Sequence, residues 1–307
     1  MAVSHVVVDW GTSSFRLWAL DRTGRVLGER RSAQGLTVAT TEGFEAVLED
    51  HLAALGIPDG VPVMMCGMVG SRTGWVEAAY IDTPAPLDGL AARAIHVPSR
   101  RRLIRILPGV AQRDPAHPDV MRGEETQCLA LAVEGFSGLA CLPGTHSKWV
   151  ALKDGVLSGF ATFMTGELFQ LLRTGSVITH AVDGAGAVAP GAAFGEGVEA
   201  AFAAPETATN LWFELRARWL LAGAKPDATL ARLSGLLIGL ELAGAARRLG
   251  ALDGAVLIAS GPIADLYDEA LALAGAGSVS RRNAEACVRE GLHAAALNAF
   301  HPEGATS

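Results

Sequence analysis

The chain has 307 residues, with 25 basic and 32 acidic side chains and a formal net charge of −7, and half of its residues are apolar. So much apolar material excludes a disordered protein. The acidic balance argues against nucleic acid as the main partner, since phosphate-rich partners call for clustered Lys and Arg. A length of 307 residues points to two domains. The longest apolar run, residues 233–246, is interrupted by Glu241 and falls short of the roughly 20 residues a membrane span needs, so no span is expected. Cys66, Cys128, Cys141 and Cys287 show no C-x-x-C spacing, so neither a zinc site nor a disulfide framework is predicted. A reducing, cytoplasmic location is the natural expectation, and the N-terminus, with no basic leader pattern, reads as a first strand.

In chain order, residues 5–9, 15–20 and 25–30 read as strands joined by tight turns. Residues 41–55 have helical spacing, with Thr41 as N-cap, and Gly56 and Pro58 stop the helix. A buried strand over 61–66 enters the Gly-rich loop 67–72. Loops and short strands follow to about residue 118, and the four arginines within 100–105 read as a solvated edge strand. A helix is predicted over 124–133, strands over 139–142, 149–152 and 156–160, and a helix over 167–172. Residues 184–197, rich in Gly and Ala, read as a mobile loop. Long helices over 208–223 and 228–249, a strand over 255–259 and a last helix over 283–300 complete the pattern.

The chain also contains a repeat. Gly11, Thr12, Ser14 and Asp21 correspond to Gly144, Thr145, Ser147 and Asp154, all at the single offset of 133 residues. Both copies read as strand, Gly-Thr turn, strand, polar turn, strand, and self-similarity at a fixed offset signals repeated architecture. A Gly-Thr hairpin exposes backbone N–H groups with no side chain in the way, which suits phosphate oxygens. Neither a Walker loop nor a G-x-G-x-x-G dinucleotide pattern is present.

Asp-x-Gly-Thr after strand one, a second Gly-Thr hairpin midway and a late strand ending in Ser260-Gly261-Pro262 resemble the phosphate and adenosine motifs of the actin-like and sugar-kinase ATPase superfamily. Within it, DWGTSSFR (9–16), GMVGSRTGWVEA (67–78), DVMRGEETQ (119–127), LPGTHSKWV (142–150) and FMTGELF (163–169) resemble the 2-dehydro-3-deoxygalactonokinases. The resemblance implies an α/β fold of two ribonuclease-H-like domains with ATP in the cleft between them, over residues 1–115 and 116–307, the last helix returning to the first domain. It also implies transfer of the ATP γ-phosphoryl group to the 6-hydroxyl of 2-dehydro-3-deoxy-D-galactonate, in galactonate breakdown.

On that resemblance Asp9 holds Mg²⁺ against the ATP phosphates, where its plain alternative is a turn cap. Gly11, Thr12 and Ser13 form the first phosphate loop, and Gly144, Thr145, His146, Ser147 and Lys148 the second. Gly261 and Pro262 let the adenosine approach the backbone. The position where several sugar kinases carry an aspartate base is Ser147, and a hydroxyl of ordinary pKa cannot serve. Glu124 and Glu125 at the head of the predicted helix are therefore the candidates, Glu125 ahead. Their alternative use is to complement the helix dipole. The sugar-acid carboxylate calls for arginine, with Arg72 first and Arg16 and Arg122 behind it, beside Gly70, Ser71 and Trp75. The gluco epimer or another keto-deoxy sugar acid remains an alternative substrate. An actin-type ATPase switch and a phosphohydrolase are the competing activities. The oligomeric state stays open, a homodimer among the choices.

Overall fold

The computed structural model describes residues 2–301. Its strands are His5–Trp10 (β1), Phe15–Leu20 (β2), Val26–Ser32 (β3), Val63–Gly67 (β4), Ile81–Asp82 (β5), Ala85–Pro86 (β6), Ile95–Val97 (β7), Ile104–Ile106 (β8), Val110–Gln112 (β9) and Asp119–Met121 (β10), then Gly138–Leu142 (β11), Ser147–Lys153 (β12), Val156–Phe163 (β13), Val256–Ile258 (β14) and Ser280–Arg282 (β15). Its α-helices are Leu36–Glu42 (α1), Phe44–Ala54 (α2), Glu124–Val133 (α3), Thr165–Gly175 (α4), Ala192–Ala203 (α5), Ala208–Ala222 (α6), Pro226–Leu249 (α7), Pro262–Leu273 (α8) and Ala284–Phe300 (α9).

Two sheets share one plan. The first runs β3-β2-β1-β4-β8, with β7 added at its edge. In it β1 is antiparallel to β2 and parallel to β4, and β4 is parallel to β8. The second runs β13-β12-β11-β14-β15, with β6 added beside Val156 and Leu157, and β14 lies parallel to both β11 and β15. Position for position this is the same strand order, and it begins at the two copies of the sequence repeat. Asp154 and Gly155, at φ 49° and 78°, make the left-handed turn that joins β12 to β13.

The chain forms two compact units. Unit 1 holds residues up to Ser137, Leu152–Gly159 and the chain from Ala284 onward, and unit 2 holds Gly138–Ala151 and Phe160–Asn283. The expected single boundary after residue 115 thus falls inside unit 1. The reason is packing: α9 lies on α3 so closely that a Cβ on Gly291 would sit 1.9 Å from the Thr126 carbonyl oxygen. The core of unit 1 packs β1, β2 and β4 against α2, through Val6, Val8, Leu17, Leu48 and Leu52. That of unit 2 packs Cys141, Trp149, Leu257, Leu242 and Tyr267 together.

Several local expectations change. The single helix over 41–55 is two, because Gly43 at φ 93° breaks the run and caps α2 in place of Thr41. The arginine cluster is not a solvated edge. Arg102 is buried and makes a two-pronged bond to Glu49, 2.8 Å on each side, and β8 lies between β4 and β7. Helix α7 has 24 residues and passes a length-and-hydropathy test for a membrane span, although its most apolar stretch is mostly buried within the protein.

The stretch expected to be a mobile loop, 184–197, instead runs into α5 from Ala192, and α5 lies against α7. Its small residues are the means: a Cβ on Gly235 would stand 2.0 Å from the Phe194 carbonyl oxygen, and one on Gly239 would stand 2.4 Å from that of Val198. The two helix backbones occupy the space side chains would need. Gly235→Ala is accordingly expected to cost about 3 kcal/mol, the upper end of overpacking penalties, read as a lowered urea midpoint at constant m-value.

Candidate active site

Both Gly-Thr turns are built alike. In unit 1 the Gly11 N–H donates to the Ser14 carbonyl at 2.9 Å, which closes the turn, and Thr12 and Ser13 are exposed. From behind, the first N–H groups of α1 donate to the turn: Leu36 to the Gly11 carbonyl at 2.9 Å, and Thr37 to that of Thr12 at 3.2 Å. In unit 2 the Glu167 N–H of α4 donates to the Thr145 carbonyl at 3.0 Å. Gly144, Thr145 and His146 are exposed there. A glycine at each helix start permits the approach, for a Cβ on Gly35 would lie 2.4 Å from the Thr12 carbonyl oxygen, and one on Gly166 would lie 2.6 Å from that of Gly144. Helix-start N–H groups lack partners within their own helix. Here they hold the carbonyl side of each turn.

Unit 1 gathers more of the candidate residues. Asp9 and Arg16 are cross-strand partners, with Nη1 3.5 Å from Oδ2. The Arg16 Nε is 3.7 Å from Glu285, which Arg31 grips with two bonds of 2.6 and 2.7 Å. Arg31 chiefly, with help from Arg16, holds the Glu285 carboxyl below its usual range. Burial raises the pKa of Asp9, and the Arg16 guanidinium opposes that rise. Arg16, expected near the substrate carboxylate, is thus engaged by two carboxylates of its own unit. Two motif glycines bring the head of α3 to Asp9. A Cβ on Gly67 would meet the Trp10 carbonyl oxygen at 2.8 Å and Asp9 Oδ1 at 3.4 Å, and one on Gly123 would lie 3.5 Å from the Gly67 Cα.

At that helix head the two glutamates separate. Glu125 is wholly buried and accepts the Gly123 N–H on both oxygens, at 2.8 and 2.7 Å. Burial, reinforced by neighbouring Glu124, pushes its pKa up to about 8. Glu124 is half-buried and accepts the Arg122 N–H at 3.1 Å. Of the two base candidates, Glu125, the one slightly favoured, is thus fully buried, and Glu124 is partly exposed.

The remaining candidates are also placed. Arg72 is exposed and Ser71 half-buried, next to Gly70, which is buried. A Cβ on Gly70 would come 2.7 Å from Ile106 and 3.1 Å from Nη1 of Arg122. Arg122 donates to the Ala78 carbonyl at 2.8 Å and lies 4.4 Å over the Tyr80 ring, so it braces the 67–80 segment. Trp75 stacks on Phe44 and meets Trp10 edge-on, which makes it part of an aromatic cluster. In unit 2 the Ser147 side chain departs from the expected phosphate contact. It is fully buried, and its Oγ bonds Tyr267 at 3.0 Å and accepts the Gly144 N–H at 3.4 Å. Lys148 is buried, with Nζ donating to the His146 carbonyl at 3.0 Å, and the His146 ring meets Glu167 at 2.5 Å. Gly261, at φ 70°, precedes Pro262 at the first position of α8. A largely apolar cavity of about 140 Å³ lies beside the second turn, lined by Gly144, Gly166, Ile263, Leu266 and Tyr267 among others. The sequence reading missed Gly35, Gly166, Thr165, Tyr267 and Glu241. Signals were the motif FMTGELF, which contains Thr165 and Gly166, and the acid inside the apolar run 233–246.

A Gly-Thr turn between the first two strands of an identically ordered sheet, present twice in one chain, defines the actin-like, ribonuclease-H-like fold of the sugar-kinase class. The 2-keto-3-deoxy-galactonokinase family profile matches residues 9–295, and the chain belongs to that family. A Rhizobium meliloti (strain 1021) protein assigned as a 2-dehydro-3-deoxygalactonokinase is 51% identical over 295 residues, covering 95% of this chain and 96% of its own. The 2-dehydro-3-deoxygalactonokinase of Escherichia coli (strain K12) is 32% identical over 278 residues, covering 90% and 91%. A crystal structure of a Sinorhizobium meliloti protein assigned to the same activity superposes with a TM-score of 0.93 at 49% identity, over 97% of this chain and 99% of that one.

The buried carboxyl of Glu125 has a measurable consequence. A carboxyl raised from 4.5 to about 8 on folding contributes stability below pH 4.5 that is lost as pH climbs through 8. Glu125→Gln keeps the size and an acceptor for Gly123. Its stability relative to the unaltered protein is expected to grow between pH 4.5 and 8, by up to about 4 kcal/mol, as followed by denaturant titration at a series of pH values.

Proposed function

We propose that this chain transfers the γ-phosphoryl group of ATP to the 6-hydroxyl of 2-dehydro-3-deoxy-D-galactonate. The observation that carries the reading is the pair of outward Gly-Thr turns, each braced from behind by a helix start, in a chain of this family. Among the described residues no group of three or more His, Cys, Asp or Glu side chains could hold a metal unaided. That suits Mg²⁺, which is commonly held by one or two carboxylates together with substrate phosphates and water, and Asp9, one-fifth exposed at the mouth of the first turn, is the carboxylate for it. ATP supplies the phosphoryl group, and Mg²⁺ supplies positive charge against its oxygens.

The protein groups do the rest. The exposed backbone of Thr12 and Ser13, and of Thr145 and His146, presents N–H groups to phosphate oxygens, and Gly144, with no side chain, leaves the approach to the second turn open. Lys148 fixes the second turn through the His146 carbonyl. The apolar cavity beside Gly144 takes the adenine ring, and Gly261 and Pro262 at the start of α8 flank the ribose. Arg72, with its guanidinium in solvent, receives the substrate carboxylate, and Gly70 and Ser71 hold the backbone beneath it. Arg122 and Trp75 stiffen that segment. Glu124 accepts the proton leaving the 6-hydroxyl, and Arg16 shares its charge between Asp9 and Glu285 until Asp9 engages its cation. The protein acts in the cytoplasm, where both substrates are supplied.

The decisive assay measures ADP release against a panel of keto-deoxy sugar acids. Strong stimulation by the galacto acid is expected. Greatest stimulation by the gluco epimer would reassign the substrate, and a flat response across the panel would remove the kinase reading. Glu124→Gln should lower kcat at least about 100-fold, the low end for lost acid–base catalysis, while Glu125→Gln stays within about threefold. The reverse order would return the base to Glu125. Asp9→Asn should abolish turnover with the fold intact, and an unchanged Mg²⁺ dependence of its rate would refute the metal role.

A further inference from the structure

One buried carboxylate takes no part in the roles above. Glu241 lies midway along α7 and is 1% exposed. Three donors from three different elements reach it: Trp149 Nε1 of β12 at 2.9 Å on Oε1, Tyr267 OH of α8 at 2.6 Å on Oε2, and Thr165 Oγ1 at the start of α4, also on Oε2. Tyr267 has one hydroxyl hydrogen and gives it to Glu241. Its oxygen therefore accepts from Ser147 Oγ at 3.0 Å, and Ser147 in turn accepts the Gly144 N–H at 3.4 Å. The Gly144 N–H, Ser147 Oγ and Tyr267 OH thus form a line from the second phosphate turn to the carboxylate, and Ser147 also interacts with Glu241 directly. Such chains polarise cooperatively in a medium of low dielectric.

We propose that Glu241 is a positioning residue for the second phosphate turn. It holds the turn at two points. One is the Gly144 N–H, drawn inward through Ser147 and Tyr267. The other is the first turn of α4, which Thr165 ties to the carboxylate and which grips the turn through Gly166 and the Glu167 N–H. With the Gly144 N–H and the Thr145 carbonyl both engaged from within, the outward N–H groups of the turn are fixed in direction. Stability alone does not call for this group, because an apolar side chain of similar volume would be buried without the cost of desolvating a charge. The line of donors also ends at Gly144, on the rim of the apolar cavity, so its effect falls on the phosphate end of a nucleotide. The proposal rests on the kinase reading.

The test uses two changes that remove one donor each from the same carboxylate. Tyr267→Phe cuts the line to the Gly144 N–H, whereas Trp149→Phe removes a β12 donor that is no link in that line. Binding of the β,γ-imido analogue of ATP and of adenosine is measured by calorimetry, with thermal unfolding alongside. Tyr267→Phe, which keeps the ring that lines the cavity and removes only the hydroxyl, should weaken the triphosphate analogue about 10-fold, as expected for one lost hydrogen bond, and leave adenosine within about twofold. Trp149→Phe should lower the Tm yet keep both affinities within about twofold. Should Trp149→Phe fail to fold, Ser147→Ala, which breaks the same line at the turn, decides the matter by matching Tyr267→Phe. Equal losses for analogue and adenosine, or no loss in either line-breaking variant, would overturn the proposal while leaving the kinase reading in place. If the unaltered protein binds neither compound, the kinase reading fails and the positioning role falls with it.

Discussion

A backbone turn offered to a polyanion needs its own carbonyl groups held elsewhere, and this protein meets that need with the starts of helices. The N–H groups of α1 and α4 that have no partner within the helix find one in the turn. The same contact steadies the turn and satisfies the helix end. It also explains the most restrictive glycines near the turns, since Gly35 and Gly166 leave no room for a Cβ. The sheet order, the hairpins and the helix placements all serve this one geometry, and it occurs once in each unit.

The two copies differ in charge. At the offset of 133 residues, Asp9 corresponds to Leu142 and Arg16 to Trp149. The first hairpin therefore carries a cross-strand ion pair where the second carries two buried apolar residues. In unit 1 the electrostatics are at the surface of the turn, in the line Arg31, Glu285, Arg16 and Asp9. In unit 2 they are beneath it, in the line from Gly144 to Glu241. On one strand order the scaffold thus carries a partly exposed acidic group beside its first turn and a buried one beneath its second.

What was legible in the sequence follows from what is local or repeated. The Gly-Thr copies, their flanking strands and the motif glycines at 67, 70 and 123 could be read directly, because backbone demands select glycine whatever the wider context. The choice between Glu124 and Glu125 could not. Adjacent helix positions differ by about 100° around the axis, and which one faces inward depends on α9, more than 150 residues further along. Ser147 turned inward for a similar reason: its partner Tyr267 lies 120 residues away. The Gly- and Ala-rich stretch over 184–197 looked like a loop because its glycines and Pro190 disfavour a helix, yet small residues such as Gly197 are what let α5 lie against α7. Glu241 was visible as an anomaly within an apolar run, but nothing in the sequence named its three donors.

The course of the chain between its units bears on how the protein is made. The chain passes from one unit to the other four times, at residues 137, 151, 159 and 283, and unit 1 is completed by α9. A protein emerging from the ribosome in order cannot finish its first unit until α9 is available, because α9 packs closely on α3, with Gly291 against the Thr126 carbonyl. Unit 1, which holds the N-terminal strands and would ordinarily fold first in a multidomain chain, therefore closes only after α9 has been made.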